Sequence, residues 1–129
     1  MKDMINTIKS KDFFSFSVGS SEEQVLAAEE ALGLNFTDEY REYLSAFGTA
    51  SFDGHELTGI SKTSRLNVVD VTKEERQKYS DIPADWYVLE QLHIDDVSIW
   101  QARSGEIYQL MPGAKALKIC DSFSEYINS

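Results

Sequence analysis

The feature that most constrains this chain is a change of period at Gly48. Before it, apolar residues recur every three or four positions; after it, they come in short runs broken by turn residues. Helical spacing buries one face of a helix, whereas short apolar runs suit strands, so a helix-first, strand-later α+β domain is expected. Met1, Met4, Ile5 and Ile8 predict a short amphipathic helix over about the first eleven residues. Ser20 stands three residues before Glu23, a capping-box spacing that opens a helix over 21–32, with Val25, Ala28 and Leu32 inward and Gly33 as its stop. Thr37 is the next cap, with Asp38 and Glu39 in the first turn where the helix dipole favours anions. Tyr40, Tyr43, Leu44 and Phe47 then form a continuous apolar face that ends at Gly48.

Beyond Gly48, strand-like runs fall at 56–60, 66–71, 87–92, 97–102, 107–111 and 116–120. Arg103, Ser104 and Gly105 join two of them, and a three-residue connection ending in glycine suits a hairpin with a left-handed residue. Thr72 with Glu75 and Ser122 with Glu125 have capping-box spacing, predicting a helix to Tyr79 and a closing helical turn that carries Phe123, Tyr126 and Ile127. The 129 residues form one domain, 1–129, with room for a single core.

Twenty-two acidic residues against twelve basic ones give a net charge of −10. A field of that sign repels phosphate backbones and anionic membranes and speeds encounter with a basic partner. No run reaches the roughly 18 apolar residues of a membrane span, and Lys2, Asp3, Asn6, Lys9 and Lys11 break up the N-terminus, so no secretory signal is expected and the location expected is cytoplasmic. Cys120 stands alone, which rules out an intramolecular disulfide, and its apolar surroundings suggest a buried structural thiol.

No catalytic, cofactor-binding or metal-binding motif is present. There is no phosphate-cradling glycine loop, no His-Glu-x-x-His, no Gly-x-Ser-x-Gly and no paired-cysteine site, so no enzyme activity and no cofactor are expected. His55 beside Asp53 and Glu56 reads as a solvated turn before a metal site, and Asp95 with Asp96 as a turn between strands. Trp86 and Trp100 lie in or next to strand-like runs, positions that more often belong to a core, though an indole that needs a partner for its N–H also suits an interface rim. Residues 81–106 carry six acids against one base, Arg103, and acids spread over strands and their loops can collect on one sheet edge.

The order of these elements resembles the SUKH superfamily. The resemblance runs from Val25-Leu26-Ala27-Ala28-Glu29-Glu30-Ala31-Leu32-Gly33-Leu34 through Tyr40-Arg41-Glu42-Tyr43-Leu44 to Phe47-Gly48. It continues in Glu56-Leu57-Thr58-Gly59-Ile60, in Trp86-Tyr87-Val88-Leu89, in Ser104-Gly105-Glu106-Ile107-Tyr108 and in Ser122-Phe123-Ser124-Glu125-Tyr126-Ile127. Phe36-Thr37 replaces the family's usual Leu-Pro, with the Thr37 hydroxyl taking over as cap. The resemblance implies a mostly antiparallel, curved sheet of about five or six strands packed against N-terminal helices, with a short C-terminal helix. It also implies an immunity protein, or antitoxin, that occludes a cognate toxin. The toxin is expected to be a basic nuclease domain, a ribonuclease ahead of a deoxyribonuclease. The alternative is a non-enzymatic scaffold or regulator of the same fold, and self-association as a homodimer is left open. For a basic partner the candidate contacts are Asp53, Glu56, Asp81, Asp85, Asp95 and Asp96, with Trp86 and Tyr87 as aromatic anchors.

Overall fold

Helix α1 (Met4–Lys9) buries Met4 and Ile8 in the computed structural model, which describes residues 4–128. The part of the expected first helix at residues 1–3 lies outside the described residues. Helix α2 (Glu22–Leu32) starts one residue later than its spacing suggests. Two serines compete for the cap; Ser21 takes it, accepting the Gln24 N–H at 3.2 Å while the Gln24 side chain accepts the Ser21 N–H at 2.8 Å. The N–H of Ser20 is spent instead on the Leu44 carbonyl, at 2.8 Å. Gly33, at φ 68°, closes the helix in the left-handed conformation.

The inner face of α2 holds Val25, Ala28 and an acid, Glu29. The Glu29 carboxylate accepts the Phe36 N–H at 2.7 Å and both arms of the Arg41 guanidinium at 2.7–3.0 Å. It thereby ties the end of α2 to the start of α3 (Asp38–Ala46), whose cap is Thr37 as expected. Arg41→Ala removes the charged partner of an almost fully buried carboxylate and should cost about 2 kcal/mol in urea denaturation. A loss below about 0.5 kcal/mol would mean that water replaces the guanidinium without penalty.

Helix α3 runs directly into β2 (Phe47–Phe52), so Phe47 and Gly48 begin a strand. Together with β1 (Ser15–Val18) and β3 (His55–Leu57), β2 forms an antiparallel sheet in the order β1-β2-β3. Four later strands, β4 (Tyr87–Gln91), β5 (Ser98–Gln101), β6 (Ile107–Leu110) and β7 (Leu117–Cys120), form an antiparallel meander in chain order. The α+β class, the antiparallel strands and the short closing helix α5 (Phe123–Ile127) are as expected, with seven strands divided between two sheets. The sheets meet where β3 leads into Thr58. Its N–H donates to the Leu89 carbonyl at 2.7 Å and its hydroxyl to the Val88 carbonyl at 2.8 Å. Gly105, at φ 102°, closes the β5–β6 hairpin as its position suggests.

Residues 66–71, read as a strand from their valines, are not one. Asn67 caps helix α4 (Val68–Arg76), accepting the Val69 and Asp70 N–H groups. Val68, Val71, Thr72 and Glu75 form its buried face at helical spacing, and this packing overrides β-propensity. Thr72 is therefore no cap; its hydroxyl accepts the Val88 N–H at 3.0 Å and pins α4 to β4. Ser122 does cap α5, while the Glu125 carboxylate accepts the Asp121 N–H, one residue before the cap, and not that of Ser122. The main core gathers Tyr40, Tyr43, Phe47, Tyr87 and Phe123, all at most 1% exposed. Cys120 is buried, and burial pushes its thiol above the ordinary value, as suits a structural cysteine.

Candidate partner-binding site

β3 and β4 run in opposite directions, since His55 and Glu56 contact the Glu90 carboxylate while Thr58 contacts the Val88 and Leu89 carbonyls. That places the β2–β3 turn and the β4–β5 loop at the same end of the molecule. The Asp53 N–H donates to the Asp12 carbonyl at 2.7 Å and brings Phe13 to this end as well. Among the described residues, the only non-glycine residues with a left-handed backbone all lie here: Phe13, Asp53, His93, Asp95 and Asp96, with φ between 48° and 60°. Asp and His tolerate this conformation through local hydrogen bonds, but Phe does not, and each such residue costs on the order of 1–2 kcal/mol. Backbone strain of this kind concentrates at binding and switch sites. Two exposed apolar side chains project from these turns, Phe13 at 88% and Ile94 at 67% exposure.

The acids of this end divide into two groups. Glu56 is held by Arg65 at 2.7 Å, and that hydrogen bond keeps its carboxyl below the usual value. Asp96 is held by Lys78 at 2.7 Å, and Lys78 also bridges to buried Glu75 at 2.9 Å. Asp12, Asp53 and Asp95 have no ion pair among the described residues. Beneath the β2–β3 turn, His55 is not the solvated turn residue that its neighbours suggested. Its Nδ1 lies 2.7 Å from the Glu90 carboxylate, which also accepts the Tyr126 hydroxyl. The Glu90 contact raises the His55 pKa, and burial keeps the Tyr126 phenol protonated.

The remaining candidates lie elsewhere. Asp81, Asp85 and Trp86 precede β4, at the opposite end from Asp53 and Asp95. Three backbone carbonyls of their loop accept from Arg76 at 2.8–3.1 Å, and the Trp86 ring stacks on Tyr108 at 4.3 Å beside a cleft of about 380 Å³. Tyr87 is fully buried, its hydroxyl donating to Gln101 at 2.7 Å, so it presents no surface to a partner. The acids of 81–106 thus do not share one edge: Asp81 and Asp85 lie before the start of β4, whereas Asp95 and Asp96 lie beyond its other end. Sequence reasoning missed Phe13 and Ile94. An isolated apolar residue inside a polar turn, as Ile94 is between His93 and Asp95, was the available signal.

Among the described residues, no group of three or more His, Cys, Asp or Glu side chains is placed to hold a metal ion. No helix among the described residues is long and apolar enough to cross a membrane. Helices α2 and α3 ahead of β2, the Ala-Glu and Tyr-x-x-Tyr-Leu signatures on them, the antiparallel sheets and the closing helix define a SUKH-type α+β domain, a class known for immunity proteins in toxin systems. The family model SUKH_5, described as SMI1-KNR4 cell-wall, matches residues 1–129, and the chain belongs to that family. No curated protein matches it.

Proposed function

We propose that the chain is a non-catalytic immunity protein that binds and silences a cognate toxin, docking by the end that carries Asp53, Asp95, Phe13 and Ile94. The partner is a basic nuclease domain, with a ribonuclease the first choice, and the mechanism is occlusion of its cleft. The observation that carries the proposal is the gathering of strained turns at one end, where two exposed apolar tips stand among acids without ion pairs. A cleft that binds phosphates is lined by Lys and Arg, and unpaired carboxylates complement it while apolar tips supply desolvated anchors. Glu56 and Asp96, already engaged by Arg65 and Lys78, contribute less.

Binding to the product of the adjacent gene, followed by interferometry, tests the proposal. Ile94→Ala should weaken affinity about tenfold or more through faster dissociation. Charge reversal at Asp53 and Asp95 together should slow association about tenfold at low salt and much less at high salt. If both variants protect cells and bind as the parent does, the docking end is wrongly placed.

A further inference from the structure

The two sheets leave two open edge strands, β1 and β7, at opposite ends of the strand order. They are defended differently. β7 carries Lys118 at its middle, held by Asp121 at 2.6 Å and Glu106 at 3.2 Å. A charge within an edge strand blocks the approach of another strand. β1 has no such guard. Residues 13–21 contain no charged side chain, although 26% of the chain is charged. Phe16 and Val18 are 58% and 87% exposed, and no residue of β1 is buried. The bulge in the β1–β2 pair falls on β2: two steps from Phe16 to Val18 match three from Ala50 to Phe47. The open strand itself therefore stays regular, with Ser17 holding the Thr49 N–H at 2.8 Å.

We infer that β1 is a self-association edge that takes β1 of a second copy of this chain, in antiparallel register about a two-fold axis. Charge selects the second copy over the basic partner proposed above. A basic surface gains nothing from an uncharged strip, whereas two molecules of net charge −10 repel everywhere except across such a strip. The strand is also self-complementary. An antiparallel pair centred on Phe16 sets Phe14 against Val18 of the second copy on one face and Ser15 against its Ser17 on the other. The Phe14 and Phe16 rings, stacked at 5.2 Å and propped edge-on against Phe47, are held ready for that contact. The exposed apolar side chains of β1 offer on the order of 250 Å² per copy, well below the roughly 800 Å² per partner of a standard interface. The pair is therefore weak and exchanging, with a Kd of about 100 µM.

Sedimentation from 1 µM to 1 mM protein, at two salt concentrations, tests this without any toxin. The parent should shift from one chain to two across that range, and association should tighten with salt, the opposite of docking to a basic partner. Val18→Lys, at an exposed position, should raise the Kd at least tenfold, while Leu117→Lys on β7 should leave it unchanged. A parent that stays monomeric at 1 mM overturns the inference, as does a dimer broken by Leu117→Lys and not by Val18→Lys. Should the parent stay monomeric while Val18→Lys loses the toxin, the edge receives a strand of the toxin and not a second copy.

Discussion

Gly59→Ala should cost about 3 kcal/mol or more and bring the domain close to unfolding. A Cβ at residue 59 would stand 1.7 Å from the Gly48 carbonyl oxygen and 2.8 Å from its carbon. Neither backbone can move aside cheaply. The Gly48 carbonyl accepts the Ile60 N–H at 2.9 Å, and Gly59 is bonded on both sides, its N–H to the Leu66 carbonyl at 2.9 Å and its carbonyl from the Val68 N–H at 2.7 Å. The substitution would separate β2 from the segment that starts α4. Gly54→Ala is the control: its φ of 85° makes the change unfavourable, but no atom lies within 4 Å of the new methyl, so about 1 kcal/mol is expected. Urea midpoints decide. If the two variants lose equal stability, the close approach of the backbones is not what residue 59 protects.

Glu90→Ala should cost about 3–5 kcal/mol, because it leaves His55, the Tyr126 hydroxyl and the Glu56 N–H without their shared acceptor inside the fold. Glu90→Gln keeps an acceptor and should cost less, about 1–2 kcal/mol. The same cluster sets a pH dependence. Glu90 holds the imidazolium, so the folded pKa of His55 lies above its ordinary 6.5. A raised pKa means that the folded state binds the proton more tightly, so the His55–Glu90 contribution is fully present below about pH 6.5 and is lost as the pH climbs through the raised value. His55→Gln should flatten that decline in denaturation profiles taken from pH 6 upward. An undiminished slope in this variant would place the titrating group elsewhere.

The helices were legible because their causes are local. Thr37, Gly33 and the Tyr40–Tyr43–Leu44 face act within one or two turns of chain, and the cap of α2 slipped by one only because Ser20 and Ser21 are adjacent. The valines of α4 misled because the same residues satisfy a strand until Asn67 is seen to cap them. β1 and β2 were missed for a different reason: Phe-Gly-Thr-Ala-Ser-Phe is rich in small residues, and Ser-Phe-Ser-Val lies at an exposed edge with no buried face to mark it. Buried acids were invisible. Glu29, Glu75 and Glu90 look like surface residues in the sequence, and tertiary partners such as Arg41, Gln91 and His55 account for their burial. For the docking end, Asp53 and Asp95 could be named from composition. Their separation from Asp81 and Asp85 depends on which end of β4 each loop leaves, which charge counts do not encode.

The way the sheets are stitched has a consequence for how the molecule assembles. The meander of β4 to β7 closes through short connections between neighbours, so its pairings are of low sequence separation. The β1–β2 pair instead brings Ser15 beside Ser51 across two intervening helices, so a long loop must be closed before the pairing gives anything back. The seam at Thr58, Val88 and Leu89 then joins an early unit to a late one. On the ribosome the order of synthesis runs the other way: β1 to β3 emerge first, and the side of β3 away from β2 has no neighbour until β4 has been made. Until then the side of β3 that later meets β4 is open to other chains, an edge that the finished fold covers at the Thr58 seam.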